Sequence, residues 1–190
     1  MKLLKKVTAA KIFMLVLVTT LLFSTVGCSQ KQNTQTGTAS VVSDIKDFDT
    51  VDMDGKQVTD QFLKEHKLTL VNVMSSTCNP CMEELPVLMK LSEEFKDKDV
   101  GFMGLNIDMD TKGNPDSESA KVMQKLQKEN GGTMKIVFPD NVLLEKVLAN
   151  VDAMPYTFFV DQDGNVVGND YLGDKSEEQW REIIANQLKR

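Results

Sequence analysis

Residues 68–81 have the sequence Leu-Thr-Leu-Val-Asn-Val-Met-Ser-Ser-Thr-Cys-Asn-Pro-Cys, which contains the strongest structural signal in the chain. Its first seven positions carry apolar side chains in both alternating sets, which predicts a central strand covered on both faces. After the cysteines, apolar residues recur at helical spacing: Met82, Leu85, Leu88, Leu91 and Phe95. The stretch therefore predicts a strand that ends at a cysteine pair and continues into a helix.

The position of Cys78 and Cys81 favours thiol–disulfide chemistry. The positive end of the helix dipole stabilises a thiolate at Cys78, which makes this residue the nucleophile. Cys81 lies one turn further into the helix, close enough to attack a mixed disulfide on Cys78. Between them, Pro80 follows Asn79 and has no N–H, so it fits the first helical turn and stiffens the short ring.

A zinc site and a purely structural disulfide both fit the pair less well. A structural zinc site needs four Cys or His ligands, and the chain has only Cys78, Cys81, Cys28 and His66, of which Cys28 is assigned to the lipoprotein cleavage site described below. A structural disulfide with this spacing closes almost no loop and would stabilise the fold little.

The first 27 residues resemble a bacterial lipoprotein signal peptide. They contain four lysines and no acid, and residues 12–23 form an apolar core too short to span a membrane. The sequence Ser24-Thr-Val-Gly-Cys28 resembles a lipoprotein cleavage site, with Thr25 where leucine is usual, and this predicts lipidation of Cys28. An uncleaved anchor, or secretion with a spare thiol, remains open. Each of these three alternatives places the mature domain outside the cytoplasm. Lipidation of Cys28 would attach it to the outer face of the cell membrane.

Charge and composition define the remaining organisation. The chain has 22 basic and 28 acidic residues, and without the four leader lysines the balance is 18 to 28, net −10. This acidity argues against nucleic acid or anionic lipid as a partner. Residues 28–44 are polar and are expected to form a flexible tether. Residues 45–190 match one globular domain.

The remaining patterns predict the order of elements in that domain. A hairpin with its turn at Asp54-Gly55 precedes a short helix over residues 60–67 with His66 on its surface. Beyond the cysteines we expect strands over 100–107 and 134–138, helices over 118–130 and 141–150, and a hairpin that turns at residues 161–164. The helix over 141–150 is expected to bury Val142, Leu144, Val147 and Leu148. A capping box, Ser176-Glu-Glu-Gln179, starts the last helix, which buries Trp180.

Three features together resemble the TlpA/ResA-like branch of the thioredoxin superfamily over about residues 45–190. They are Cys78-Asn-Pro-Cys-Met-Glu-Glu84-Leu-Pro86, Met154-Pro155-Tyr-Thr-Phe-Phe-Val-Asp-Gln-Asp-Gly164, and the α-β insertion near residues 116–138. The resemblance implies an α/β thioredoxin-like fold: a central mixed sheet flanked by helices, with an N-terminal hairpin and an α-β insertion. Thr77 departs from the family, which usually has tryptophan before the first cysteine.

The resemblance also implies roles for three further residues. Met154 and Pro155 would form a cis-proline substrate site, where the Met154 backbone pairs with an extended substrate. Glu84 would pass protons as Cys81 attacks or leaves. From the residues alone, Pro155 also fits a plain strand start and Glu84 an exposed helix position. Trp180 is expected to lie too far from the thiols for its fluorescence to report their redox state.

The expected activity is reduction of protein disulfides by the Cys78–Cys81 dithiol, without cofactor or metal. The resemblance implies a membrane electron donor of the DsbD/CcdA kind and apocytochrome c among the clients. Two competing hypotheses are a peroxiredoxin-type peroxidase and a copper metallochaperone. The first would have proline where Val71 stands, and the second a Cys-x-x-x-Cys spacing with a distant histidine.

Overall fold

The computed structural model describes residues 38–108 and 113–190. The signal peptide, Cys28 and the first part of the expected tether lie outside these described residues. Within the described ranges, no helix is both long and apolar enough to span a membrane.

A six-stranded mixed sheet forms the centre of the domain, in the order β1-β8-β7-β4-β5-β6. Its strands are β1 (Thr38–Ala39), β4 (Leu68–Met74), β5 (Val100–Asn106), β6 (Lys135–Val137), β7 (Tyr156–Val160) and β8 (Val166–Leu172), and β2 (Asp49–Val51) and β3 (Gln57–Thr59) form a separate hairpin. Strand β4 pairs in parallel with β5 and antiparallel with β7, so it lies at the centre. All seven β4 residues are buried, as the pattern predicted.

The helices are α1 (Gln61–Lys64), α2 (Asn79–Phe95), α3 (Glu118–Asn130), α4 (Asn141–Lys146) and α5 (Glu177–Gln187), with 3₁₀ turns at Lys96–Lys98 and Leu148–Asn150. Helix α2 has Cys78 as its N-cap and Pro80 in its first turn. Helix α5 starts at the predicted capping box, in which Ser176 and Gln179 exchange hydrogen bonds. Local sequence signals thus determine where both helices of the site region begin.

Helices cover the sheet on both faces and make two apolar cores. One core joins α2, α3 and α5 to the face of the sheet that carries Leu70 and Met74, and it includes Cys81 and Trp180. The other joins α1, α4 and the β2–β3 segment to the opposite face, which carries Val71 and Val73. The alternation of β4 side chains between the cores accounts for the apolar residues in both sets of positions on this strand. The thioredoxin-like α/β fold is therefore confirmed.

The β2–β3 hairpin turns at Asp54-Gly55, as predicted, with Gly55 at φ +77°. It also covers the outer edge of β6. The Met53 N–H donates to the Ile136 carbonyl at 2.9 Å, and the Phe138 N–H donates to the Val51 carbonyl at 3.0 Å. The edge strand therefore has its backbone groups paired.

The expected tether is wrong for its last residues, because residues 38–44 belong to the folded domain. Thr38 and Ala39 pair with β8, and Asp44 forms a bridge with Asn165. Val42 is only 2% exposed, whereas its neighbour Val41 is 55% exposed. The segment is held by backbone pairing and one buried side chain, which its polar composition does not reveal.

Two local expectations also need correction. In this region Leu143 and the predicted Val147 are fully buried, whereas the predicted Val142, Leu144 and Leu148 are only partly buried; helix α4 ends at Lys146, and a 3₁₀ turn follows. His66 lies beyond α1 and is half-buried against Gly101, where a Cβ would come within 2.4 Å of the imidazole. This burial lowers the pKa of His66.

The folded N-terminal segment yields a test with adjacent residues. We expect Val42→Ala to lower the free energy of unfolding by about 1.5–2.5 kcal/mol, because it removes two buried methyl groups and leaves a cavity. Val41→Ala, at the exposed neighbouring position, should change it by less than about 0.5 kcal/mol. Urea unfolding of both variants measures the difference. Equal, negligible effects would show that this segment is a tether after all.

Candidate active site

The two sulfurs of Cys78 and Cys81 are joined in a disulfide, and the two Cα atoms are 5.3 Å apart. Cys78 is half-buried, whereas Cys81 is only 2% exposed. The neighbours Thr77, Asn79 and Pro80 are exposed around them. The first cysteine is therefore the one that a substrate disulfide reaches, and the second lies behind it in the core.

The sulfur of Cys78 takes the place of an ordinary N-cap oxygen. Its Sγ accepts a hydrogen bond from the Cys81 N–H at 3.3 Å, at the N-terminus of the 17-residue helix α2. The Cys81 N–H has no carbonyl partner within the helix, and both this donor and the helix dipole favour negative charge on the Cys78 sulfur. In the reduced protein this arrangement stabilises a Cys78 thiolate.

The loop before Cys78 is fixed by Asp108, which follows the neighbouring strand β5. The Ser75 hydroxyl and the Ser76 N–H donate to the Asp108 carboxylate, and the Ser119 hydroxyl donates to it at 3.2 Å. Burial alone would raise the pKa of Asp108, but these hydrogen bonds hold it below its usual value. A charged Asp108 thus anchors the turn that delivers Cys78.

Glu84 lies one turn beyond Cys81 and is 2% exposed, unlike its exposed neighbour Glu83. Its Oε1 accepts hydrogen bonds from the Trp180 Nε1–H at 2.7 Å and from the Lys175 N–H at 2.8 Å. Its Oε2 accepts one from the Asn72 amide at 3.2 Å. The alternative of an exposed helix glutamate is therefore excluded by the structure.

Burial raises the pKa of Glu84, against the opposing effects of the Trp180, Lys175 and Asn72 hydrogen bonds and the Lys175 charge. All three contacts come from N–H donors, which favour the carboxylate, while loss of water favours the neutral acid. Since burial outweighs these hydrogen bonds, Glu84 keeps its proton to a higher pH than an ordinary glutamate and is suited to exchange it.

The structure brings together three residues that the sequence patterns did not single out as partners of Glu84. Asn72 lies on β4 and also donates to the Thr157 hydroxyl at 2.8 Å. Lys175 lies in the loop before α5, and Trp180 lies 96 residues from Glu84 in the chain. The Trp180 indole N–H contacts the carboxyl of Glu84, one helical turn beyond Cys81, and the expectation that its fluorescence does not report the redox state stays a prediction. Trp180 is the single tryptophan of the chain, and this was the only feature of the sequence that could have drawn attention to it.

Met154 and Pro155 lie at the end of the sheet where β4 leads into the cysteine loop. The Met154–Pro155 peptide bond is cis. The next residue, Tyr156, pairs with Val73 near the end of β4, four residues before the start of the cysteine loop at Thr77. Met154 is partly buried against both cores, and the Pro155 carbonyl accepts a hydrogen bond from the Gly173 N–H at 2.9 Å. Met154 and Pro155 thus come directly before β7, at the end of the sheet where β4 leads into the loop that carries Cys78.

The comparison with known proteins agrees with this geometry. The family model described as Redoxin matches residues 39–187. The chain belongs to the Redoxin family. It is a thioredoxin-superfamily protein similar to ResA, as the sequence motifs suggested.

Two curated Bacillus proteins illustrate the relationship. This Redoxin-family chain is 25% identical over 142 residues to the thioredoxin-like protein YneN of Bacillus subtilis, covering 73% of the chain and 75% of YneN. It is 25% identical over 134 residues to the thiol-disulfide oxidoreductase ResA of Bacillus thuringiensis, covering 70% of the chain and 69% of ResA. Both alignments thus extend over most of the relative's length.

Solved structures support the same fold. A thioredoxin-family thiol:disulfide interchange protein from Chlorobium tepidum has a TM-score of 0.60 at 20% identity, covering 78% of this chain and 98% of that one. StoA from Bacillus subtilis has a TM-score of 0.52 at 19% identity, covering 71% of this chain and 93% of StoA. The thioredoxin-like architecture extends over nearly all of each of these chains.

The raised pKa of Glu84 predicts a pH-dependent stability. Its contribution to stability is fully present below the ordinary glutamate pKa of about 4.3 and is lost as pH rises through the raised folded-state pKa. Relative to Glu84→Gln, the wild type should therefore lose free energy of unfolding as pH rises above about 4 and through the folded-state pKa of Glu84. Urea unfolding at constant ionic strength measures this difference.

Glu83→Gln, at the exposed neighbouring position, is the control and should follow the wild type at every pH. A wild-type to Glu84→Gln difference that does not change with pH would contradict the assigned burial of the Glu84 charge.

Proposed function

We propose that this chain is a lipid-anchored, extracytoplasmic thiol–disulfide oxidoreductase that reduces disulfides in proteins. The observation that carries the proposal is the Cys78–Cys81 pair at the N-terminus of α2, with the more exposed sulfur in the N-cap position. The name of the relative ResA, thiol-disulfide oxidoreductase, supports the same reaction class.

The reaction consists of two thiol–disulfide exchanges. The Cys78 thiolate attacks one sulfur of the substrate disulfide, forms a mixed disulfide and releases the other substrate sulfur as a thiolate, which takes up a proton. Cys81 then loses its proton and attacks the Cys78 sulfur, and the second substrate thiol leaves. The substrate gains two electrons and two protons, and the enzyme is left with the Cys78–Cys81 disulfide.

Glu84 supplies a path for the proton of Cys81. Cys81 is only 2% exposed, so bulk water has little access to its sulfur. Glu84 is on the same helix, one turn further, and its raised pKa makes it a better proton acceptor than an ordinary glutamate. In this proposal Glu84 takes the proton when Cys81 attacks and returns it in the reverse reaction.

The substrate segment is proposed to lie along Met154 and Pro155. Pro155 has no N–H, so the backbone of Met154 is the group available to an extended peptide beside the disulfide. Leu172, which pairs with Tyr156 at the same edge, is 60% exposed and offers an apolar contact. Thr77, in place of the family's usual tryptophan, leaves the cysteine side of this surface open.

Location and partners extend the proposal beyond the described residues. The apolar leader and the cysteine at position 28 support lipidation of Cys28 and attachment to the outer face of the bacterial cell membrane. An extracytoplasmic reductase needs electrons from inside the cell, and a membrane carrier of the DsbD/CcdA kind would supply them. Apocytochrome c, whose haem-binding cysteines must be reduced, is a proposed client.

Trapping of the mixed disulfide tests the reaction and the roles of the two sulfurs. With Cys28→Ser in every variant, only the active-site cysteines remain. We expect reduced Cys81→Ser to accumulate a covalent complex with a protein disulfide such as insulin, because no second thiol resolves it. Cys78→Ser should form far less, since the buried Cys81 is poorly accessible. Mass spectrometry after alkylation identifies the bonded residue.

The protein with both active-site cysteines should reduce insulin, and the double variant Cys78→Ser/Cys81→Ser should be inactive. Equal trapping by both single variants would refute the assignment of Cys78 as nucleophile. Turnover of hydrogen peroxide without reduction of insulin would instead favour a peroxidase.

A further inference from the structure

We propose that Lys175 is a positioning residue for this reaction, through its backbone N–H on Glu84 and its ammonium group beside the Trp180 ring. Its backbone N–H fixes one carboxylate oxygen of Glu84, and its ammonium group favours the charged form of that carboxylate. The inference rests on the proposed function of Glu84 as the proton carrier for Cys81.

The backbone contact determines which oxygen of Glu84 takes the proton. Oε1 already accepts two hydrogen bonds, from the Lys175 N–H at 2.8 Å and the Trp180 Nε1–H at 2.7 Å. Oε2 accepts a single, longer bond from Asn72 at 3.2 Å. Since a carboxylate oxygen with two N–H donors has no free lone pair in the carboxylate plane, Oε2 is the atom that is protonated.

The side chain of Lys175 turns back over the same site. Its Nζ donates to the carbonyls of Gly173 at 2.8 Å and Leu172 at 3.1 Å. It also lies 5.4 Å from the ring centroid of Trp180 and 5.7 Å from that of Tyr171. Two carbonyls and two aromatic faces thus hold the ammonium group beside the indole that contacts Glu84.

This ammonium group is not neutralised by a close ion pair. Among the residues that the structure describes, no carboxylate oxygen lies within 4.0 Å of the Lys175 Nζ. Half-burial lowers the pKa of Lys175, while the charges of Glu84 and Asp174 oppose this effect. The favourable charge interaction with Glu84 is therefore available to offset the cost of burying that carboxylate.

Few other charged groups face Glu84. Strand β4 contributes the neutral Asn72, and β7 contributes the neutral Thr157. Helix α5 contributes the Trp180 indole, and the Tyr171 phenol of β8 packs against the Trp180 ring. The loop before α5 carries Asp174 beside Lys175, and Glu177 at the start of α5 is paired with Lys90 and Arg181. On α2 itself, Cys78 and Cys81 titrate only in the reduced protein. Lys175 is thus the cation held beside the Trp180 indole that contacts Glu84.

The pH dependence of Trp180 fluorescence tests this proposal in the oxidised protein, where the two cysteines do not titrate. Trp180 is the only tryptophan of the chain and is fully buried, so the emission reports a single site. We expect a pH-dependent transition in the wild type that Glu84→Gln abolishes. Lys175→Met keeps the apolar stem and the backbone N–H but removes the charge, and the midpoint should move to higher pH. Lys175→Arg, which restores the charge, should return it towards the wild-type value.

Lys128→Met, at an exposed position on α3, is the matched control and should leave the midpoint unchanged. The pH profile of insulin reduction should shift in the same direction as the fluorescence midpoint in Lys175→Met. The midpoint is compared rather than the intensity, because loss of the cation beside the indole alters the intensity directly.

Three results would overturn the proposal: a midpoint in Lys175→Met equal to that of the wild type, an equal shift in Lys128→Met, or a transition that survives in Glu84→Gln. Failure of the proposed function looks different. In that case the fluorescence midpoints shift as expected, while no variant, including the wild type, reduces protein disulfides.

Discussion

The site depends on one contact, the hydrogen bond from the Cys81 N–H to the sulfur of Cys78 at the start of α2. Strand β4 is the central strand and ends just before the cysteine loop, so the first sulfur arrives at the helix N-terminus. Asp108 holds the intervening turn from the neighbouring strand. The sheet thus places one cysteine where a thiolate is favoured and the next in the core, and the difference in exposure between them follows from this placement.

The second constraint is a charge kept inside the core that α2 and α5 share. Glu84 is surrounded by N–H donors from three separate elements, β4, α5 and the loop before α5. A buried carboxylate is costly, and an apolar residue would pack there without that cost. The buried Glu84 therefore lowers the stability of the fold, but it provides a carboxyl group whose protonation can change one helical turn from Cys81. The cation at Lys175 reduces this cost without forming a direct ion pair.

Sequence reasoning predicted the parts of the fold that have local signals. The doubly apolar β4, the Asp54-Gly55 turn and the Ser176 capping box are each determined within a few residues. Sequence reasoning did not predict the contacts between distant parts of the chain. The indole of Trp180, for example, donates to Glu84 across 96 residues of sequence. Sequence reasoning also failed for residues 38–44, because the side chains of Val41 and Val42 are identical and the sequence does not show which of them lies against the core. Composition and spacing contain no information about such pairings.

Activation of Cys78 by the helix start can be measured by an alkylation titration of the reduced protein with Cys28→Ser, in which mass spectrometry follows Cys78 and Cys81 separately as a function of pH. The structure predicts that Cys78 reacts first and retains its reactivity at pH values well below the ordinary cysteine pKa of about 8.5, while Cys81 stays protected. Equal and slow reaction of both sulfurs at neutral pH would contradict the claim that the helix start activates Cys78.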